Sequence, residues 1–214
     1  MSGLYGERHR FFQDQHGTRR LAERLESLAH GEFDPQDREF IERANMFFLA
    51  TLDERGRPTV SYKGGAPGFV RITGRSELVY PVYDGNGMFL SLGNIVSTSE
   101  IGMLFIDFQS PRRLRVQGTA RVLTSTEVKS VGEVPGAQYL VQVTAHHIFV
   151  NCGRYIHKFG NETLSPHLPD EQGHQPFPAW KRLDFISDSL SAGDQGKVQQ
   201  AGGPIGIDAY RGED

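Results

Sequence analysis

The stretch FFLATLDERGRPTVSYKGGAPG, Phe47 to Gly68, decides how this chain folds. Phe47 to Leu52 is apolar and rich in strand formers. Asp53-Glu54-Arg55-Gly56-Arg57-Pro58 carries turn chemistry: Gly56 accepts a positive φ, and Pro58 can open the next strand. Thr59 to Lys63 then runs back, mixing β-branched, aromatic and polar residues. The result is a hairpin that delivers Lys63 to Gly64-Gly65-Ala66-Pro67-Gly68. Backbone N–H groups beside a fixed cation suit an anion or a flat polar ring. A plain loop with a solvated lysine is the simpler reading of this stretch taken alone.

Upstream, residues 1–16 are polar and aromatic and are expected to pack loosely. From Thr18 the spacing of Leu21, Leu25 and Leu28 predicts a helix, stopped near Gly31. Asp34-Pro35 predicts a capped second helix running to about Asn45, with Phe40, Ile41 and Ala44 inward. Downstream, Phe69 to Ile72 and Leu78 to Tyr83 read as strands, and Pro81 marks an edge or a bulge. Asp84-Gly85-Asn86-Gly87 reads as a turn, Met88 to Ser91 as a brief strand, and Gly93 to Glu100 as helical turns. Ile101 to Phe108 is a buried strand. Leu114, Val116, Gly118, Ala120 and Val122 alternate with Arg113, Arg115, Gln117, Thr119 and Arg121, so the next strand has one buried and one polar face. Thr124 to Val131 reads as a short helix with Thr124 or Ser125 as its cap, and Tyr139 to Val150 is a long strand. Pro178 to Leu190 predicts a helix with Trp180, Leu183, Ile186 and Leu190 on one face. Residues 191–214 read as a flexible tail, or as an arm lying on a partner.

Short antiparallel strands joined by tight turns predict a mainly β, α+β fold built on a small closed or partly closed barrel. The missing βαβ alternation argues against a dinucleotide-binding Rossmann sheet. The expected organisation is a helical extension over 1–45, a barrel over 46–160, and a loop, helix and tail over 161–214. A net charge of −3 supplies no field for nucleic acid. One cysteine excludes an intramolecular disulfide framework and fits a reducing compartment. The N-terminal MSGLYGERHRFF lacks a signal peptide's apolar run, and no apolar stretch approaches about 20 residues. A soluble, cytoplasmic protein without membrane or nucleic-acid partners is expected.

Four stretches could carry chemistry. The first is Ser61-Tyr62-Lys63-Gly64-Gly65. The second is Ser91-Leu92-Gly93-Asn94, where Ser91 can cap a helix whose free N–H groups favour phosphate; an ordinary N-cap reads the same way. Asn86 on the preceding turn can add an amide contact. The third is Arg112-Arg113-Leu114-Arg115: alternation puts Arg113 and Arg115 together on the non-core face, where paired guanidiniums call for anions or an electron-rich ring. The fourth is Asn151-Cys152-Gly153-Arg154-Tyr155-Ile156, in which Cys152 reads as an inert buried thiol. His146 and His147 are adjacent on a strand and are expected to face opposite ways, so no shared metal is expected.

These stretches, in this order, resemble the pyridoxamine 5'-phosphate oxidase-like family of flavin-binding split barrels, and a bacterial branch of it most closely. FFLATLDERGRPTVSYKGGAPGFV, GNGMFLSLGNI, RRLRVQGTARV, FVNCGRYIHKF and PAWKRLDFISDSL carry the resemblance, which covers about residues 18–190. It implies a six-stranded antiparallel split β-barrel with flanking helices, and a homodimer with FMN in two clefts at the subunit interface. It implies that Ser61, Tyr62, Lys63, Gly64 and Gly65 line the flavin, and that Ser91, Leu92, Gly93 and Asn94 meet the ribityl phosphate. Arg113 and Arg115 would reach toward the cofactor, often from the second subunit, while Asn151 and Arg154 belong to the branch motif. The oxidase proper carries an arginine where Ser61 stands and lysines near Leu92 and Ala66, and the segment that holds the vitamin phosphate has no counterpart here. Pyridoxamine phosphate oxidation is therefore not the expected activity. The implied function is FMN-dependent oxidoreduction of an unidentified small molecule. The alternatives are a deazaflavin coenzyme, FAD or haem in the same fold, or a flavin carrier or sensor without turnover.

Overall fold

The computed structural model describes residues 3–153, 155–160 and 167–210. They divide into two compact units, one reaching to Thr163 and one beginning at Leu164.

In the first unit three helices precede the sheet: α1 (Glu7–Gln15), α2 (Arg19–Glu26) and α3 (Pro35–Arg43). The start expected to pack loosely, residues 1–16, forms α1, which buries no residue and leaves Phe11 and Phe12 exposed, and which is tied to α2 by the Arg10–Glu26 ion pair at 2.6 Å. On α2 only Ala22 is buried, and Leu21, Leu25 and Leu28 are exposed. For α3, Asp34 caps the Asp37 N–H at 2.8 Å and Pro35 fills the first turn, where its missing N–H costs nothing.

The strands are β1 (Met46–Leu52), β2 (Pro58–Gly64), β3 (Arg71–Ile72) and β4 (Glu77–Tyr83), then, beyond α4 (Leu90–Thr98), β5 (Glu100–Asp107) and β6 (Arg112–Val122), and, beyond α5 (Ser125–Val131), β7 (Ala137–Val150). They form one seven-stranded antiparallel sheet in the order β2-β1-β5-β6-β7-β4-β3. The family resemblance implied six strands; the two-residue β3 adds the seventh. Consecutive strands β2 and β3 sit at opposite edges. Laid flat, seven strands would span about 29 Å, whereas the link 65–70 reaches about 24 Å at full stretch. The sheet must therefore curl into a split barrel.

The opening hairpin forms as the sequence predicts. Met46 pairs with Gly64 and Leu52 with Pro58. Asp53 Oδ1 accepts from the N–H groups of Arg55 at 2.9 Å and Arg57 at 2.8 Å, and Gly56 takes φ 73°. Phe47 is fully buried, its ring 5.8 Å from Phe69, 5.1 Å from Tyr80 and 5.2 Å from Phe105. Residues from β1, β4, β5 and the loop before β3 therefore meet on one side chain. Pro81 behaves as expected: β3 pairs only with Leu78 and Val79, which leaves it open on that side, and a bulge follows at Val82 and Tyr83.

Three local readings are corrected. Met88–Ser91 is not a strand; α4 begins at Leu90, and Phe89, at φ 47°, is its N-cap. Ser91 therefore lies inside the first turn instead of capping it. His146 and His147 do not simply alternate. Gln117 pairs with His147 and Gly118 with Ala145, so His146 is an extra residue in β7. Gly118 opposite is required, because a Cβ there would collide with the Thr144 carbonyl. Finally, Cys152 is exposed, since β7 ends at Val150 before reaching it.

In the second unit, 3₁₀ turns at Ala179–Arg182 and Asp184–Ser189 replace the single helix expected over Pro178–Leu190. Leu183 breaks the helix because it is drawn into a bridge with Ile205. The stretch expected to be a flexible tail, or an arm lying on a partner, contains α6 (Ala192–Gln200), capped by Ser191. The buried Lys181 meets Asp194 of α6 at 3.1 Å. No helix among the described residues is long and apolar enough to cross a membrane.

Candidate functional site

The half-buried side chains of β2 are Thr59, Ser61 and Lys63, whereas Val60 and Tyr62 stand exposed. Strand alternation alone puts Ser61 and Lys63 on one side. They border a cavity of about 360 Å³ whose other walls are Tyr80, Val82 and Tyr83, the loop from Gly85 to Phe89, and the first turn of α4. The volume lies in the range of roughly 300–1,000 Å³ usual for small-molecule sites.

The cavity is lined by donors, with no carboxylate among the described residues that line it. Phe89 offers no side-chain cap, so the N–H groups of Leu90, Ser91 and Leu92 lack the partner that a serine or aspartate would give. Lys63 has no ion-pair partner among the described residues, and burial pushes its ammonium below the ordinary value. Ser61 Oγ and Ser91 Oγ lie 3.0 Å apart and share a hydrogen bond. Tyr80 is 1% exposed and its hydroxyl has no hydrogen-bond partner among the described residues. Burial raises the Tyr80 phenol beyond its ordinary range and raises Tyr83 as well, so both remain proton donors. This arrangement can neutralise and orient an anionic, acceptor-rich molecule.

Of the residues singled out in the sequence, Ser61, Tyr62, Lys63, Asn86, Ser91 and Leu92 line this cavity together. Asn86 Oδ1 accepts from the Met88 N–H at 3.1 Å and so shapes the loop. Gly64 and Gly65 lie outside the lining: Gly64 ends β2, and the Gly65 N–H donates to the Asn45 carbonyl at 2.9 Å. A Cβ on Gly65 would collide with the Phe69 ring, which is a packing reason for the glycine. Gly93 and Asn94 also lie outside it. The Gly93 N–H bonds the Phe89 carbonyl, and Asn94 is buried, donating to Thr51 Oγ1 at 2.9 Å. Arg113 and Arg115 sit on the non-core face of β6, opposite Ile106 and Leu104 of β5. Arg113 Nε and Asn151 Oδ1 are buried without partners among the described residues. Arg154 lies outside the described residues. The sequence reading missed Tyr80, Val82, Tyr83 and Phe89. Their only signal was an aromatic, apolar strand running into a turn, and that pattern reads equally as core.

Two other clusters stand apart. His146 and His147 both line a cavity of about 460 Å³ with Gln117, Thr51 and Glu100, the bulge having brought them to the same side. His30, Asp34 and Asp37 have ligand atoms within 4.8 Å of one another. There, however, Asp34 and Asp37 already accept from each other's N–H groups at the start of α3, where the helix dipole opposes a cation.

A curled antiparallel sheet carrying a donor-lined cavity between β2, β4 and the start of α4 defines a split-barrel protein. The chain belongs to the pyridoxamine 5'-phosphate oxidase family, whose model matches residues 33–152. No curated protein matches it. Among solved structures it is similar to HupZ of Group A Streptococcus, at 17% identity over 60% of this chain and 99% of that one, TM-score 0.45. It is also similar to HutZ, the haem storage protein of Vibrio cholerae, at 15% identity over 56% of this chain and 94% of that one, TM-score 0.39. An FMN-binding protein of Syntrophomonas wolfei is 10% identical over 65% of this chain and 96% of that one, TM-score 0.41. All three scores fall below 0.5, and the family assignment rests on the family model.

Proposed function

We propose that the cavity between β2, β4 and α4 holds FMN, and that the protein is a homodimeric flavoprotein oxidoreductase acting on a small molecule. The observation that carries this reading is the pairing of an uncapped helix start with an unpaired lysine in one acid-free cavity. A phosphate meets both requirements, through backbone N–H groups and a cation. Ser61, Ser91 and the α4 N–H groups would hold the phosphate end, with Leu92 as the apolar floor. Lys63 would neutralise negative charge on the ring system, and Tyr62 and Asn86 would border the mouth. When bound, the flavin supplies the hydride or electron transfer; these residues bind it, orient it and set its charge environment.

The dimer accounts for features that one chain leaves open. Tyr62 and Met88 border the cavity at 62% and 68% exposed, and Val60 and Val96 are exposed apolar side chains as well. Arg113, Arg115, Asn151 and Arg154 would then act across the subunit interface, and Gly64, Gly65, Gly93 and Asn94 would set the backbone that frames the cofactor.

FMN titration of the purified protein tests this reading. Quenching of flavin fluorescence with saturable, salt-sensitive binding is expected, and a protein that takes up no FMN defeats it. A second reading is favoured by one observation: among the described residues, Lys63 is the only cation lining the cavity. A deazaflavin coenzyme, FAD or haem would then occupy the same fold, or flavin would be carried without turnover. Parallel titration with each cofactor, and flavin reduction by NADH or NADPH, separates these cases.

A further inference from the structure

A buried hydroxyl without a partner is rare in a folded protein, because it has lost its water and gained nothing. Phenylalanine would fill the volume of Tyr80 beside Phe47 without that penalty. Arg71, Arg113 and Asn151 also carry a partnerless buried atom, but each has other polar atoms to use; the hydroxyl is Tyr80's only one. Tyr80 also lines the cavity that holds Lys63, and no carboxylate or other acid stands there to receive its proton.

We propose that Tyr80 is a ligand-recognition residue whose hydroxyl donates a hydrogen bond to an anionic oxygen of the molecule held in the cavity. This deepens the flavin reading and rests on it: the acceptor is an oxygen of bound FMN. The ligand-free protein carries the unpaired hydroxyl, and binding removes the deficit, so part of the selectivity for an acceptor-bearing ligand comes from a residue that sequence pattern assigns to the core.

The test compares wild type with Y80F in two ways, by thermal melting without ligand and by FMN titration. Y80F is expected to melt at or above the wild-type temperature and to bind FMN about ten-fold more weakly. If Y80F melts several degrees lower or fails to fold, the hydroxyl has a partner inside the protein and the proposal is overturned. Equal FMN affinity in the two proteins overturns it as well. If wild type takes up no FMN, the flavin reading fails separately, and pyrophosphate becomes the probe. A pyrophosphate-induced rise in melting temperature that Y80F lacks then supports the role of Tyr80, and an equal or absent rise overturns it.

Discussion

Ser61 on β2 and Ser91 in the first turn of α4, 30 residues apart in the chain, meet Oγ to Oγ at 3.0 Å. This bond ties the strand to the helix start across the wall of the cavity. Ser91 is buried, so removing its partner leaves a hydroxyl in need of another. Ser61→Ala is expected to cost about 1 kcal/mol in chemical denaturation, and FMN should bind several-fold more weakly. Unchanged values for both would detach this pair from the site.

Lys63 carries a cation that burial disfavours. Its depressed folded value means that the charged form destabilises the ligand-free protein, and that this cost is full below that value, shrinks as pH rises above it and is gone above the ordinary lysine value. Lys63→Met is therefore expected to leave stability at pH 7 unchanged or higher while lowering FMN affinity about ten-fold. Wild-type affinity should fall with rising pH before the ordinary lysine range near about 10.4 is reached, and K63M should lose this pH dependence. A flat wild-type profile would count against Lys63 as the anion's partner.

Asn94 and Thr51 form a buried pair, Nδ2 to Oγ1 at 2.9 Å. Asn94→Ala strands the threonine hydroxyl and is expected to cost about 1–3 kcal/mol. Its effect on FMN binding should be small once folding is accounted for. A large loss of affinity with intact stability would restore Asn94 to the phosphate end of the site.

His30 faces Asp37 Oδ2 at 2.7 Å through Nε2 and the Leu28 carbonyl at 3.2 Å through Nδ1. Only the doubly protonated ring can donate to both. Burial opposes that charge, but the hydrogen bonds and the nearby Asp37 and Asp34 outweigh it, and the His30 value is raised. A raised folded value contributes stability that is complete below the unfolded value, about 6.5, and is lost as pH rises through the folded one. His30→Gln should therefore destabilise more at pH 6 than at pH 9, by about 1 kcal/mol or less at this solvent-screened position. Equal destabilisation at both pH values would show that His30 acts through packing alone.

The sequence by itself determined the β1–β2 hairpin, the α3 cap and the alternating β6, because each rests on neighbours within a few residues. Asp53 and Gly56 turn the chain, Asp34 reaches Asp37, and period two sorts Leu114 from Arg115. It also placed Ser61, Lys63 and Ser91 among the candidate residues. Only the tertiary structure decided that Leu90 starts α4, that His146 is extruded by the close approach of Gly118 to Thr144, and that Leu183 leaves a helix for a bridge with Ile205. In the last two, a distant backbone segment competes with local preference and wins. Tyr80 shows the same limit at the site. Its place in an apolar strand is local information, but whether its hydroxyl finds a partner depends on every segment packed around it, and on this the linear pattern is silent.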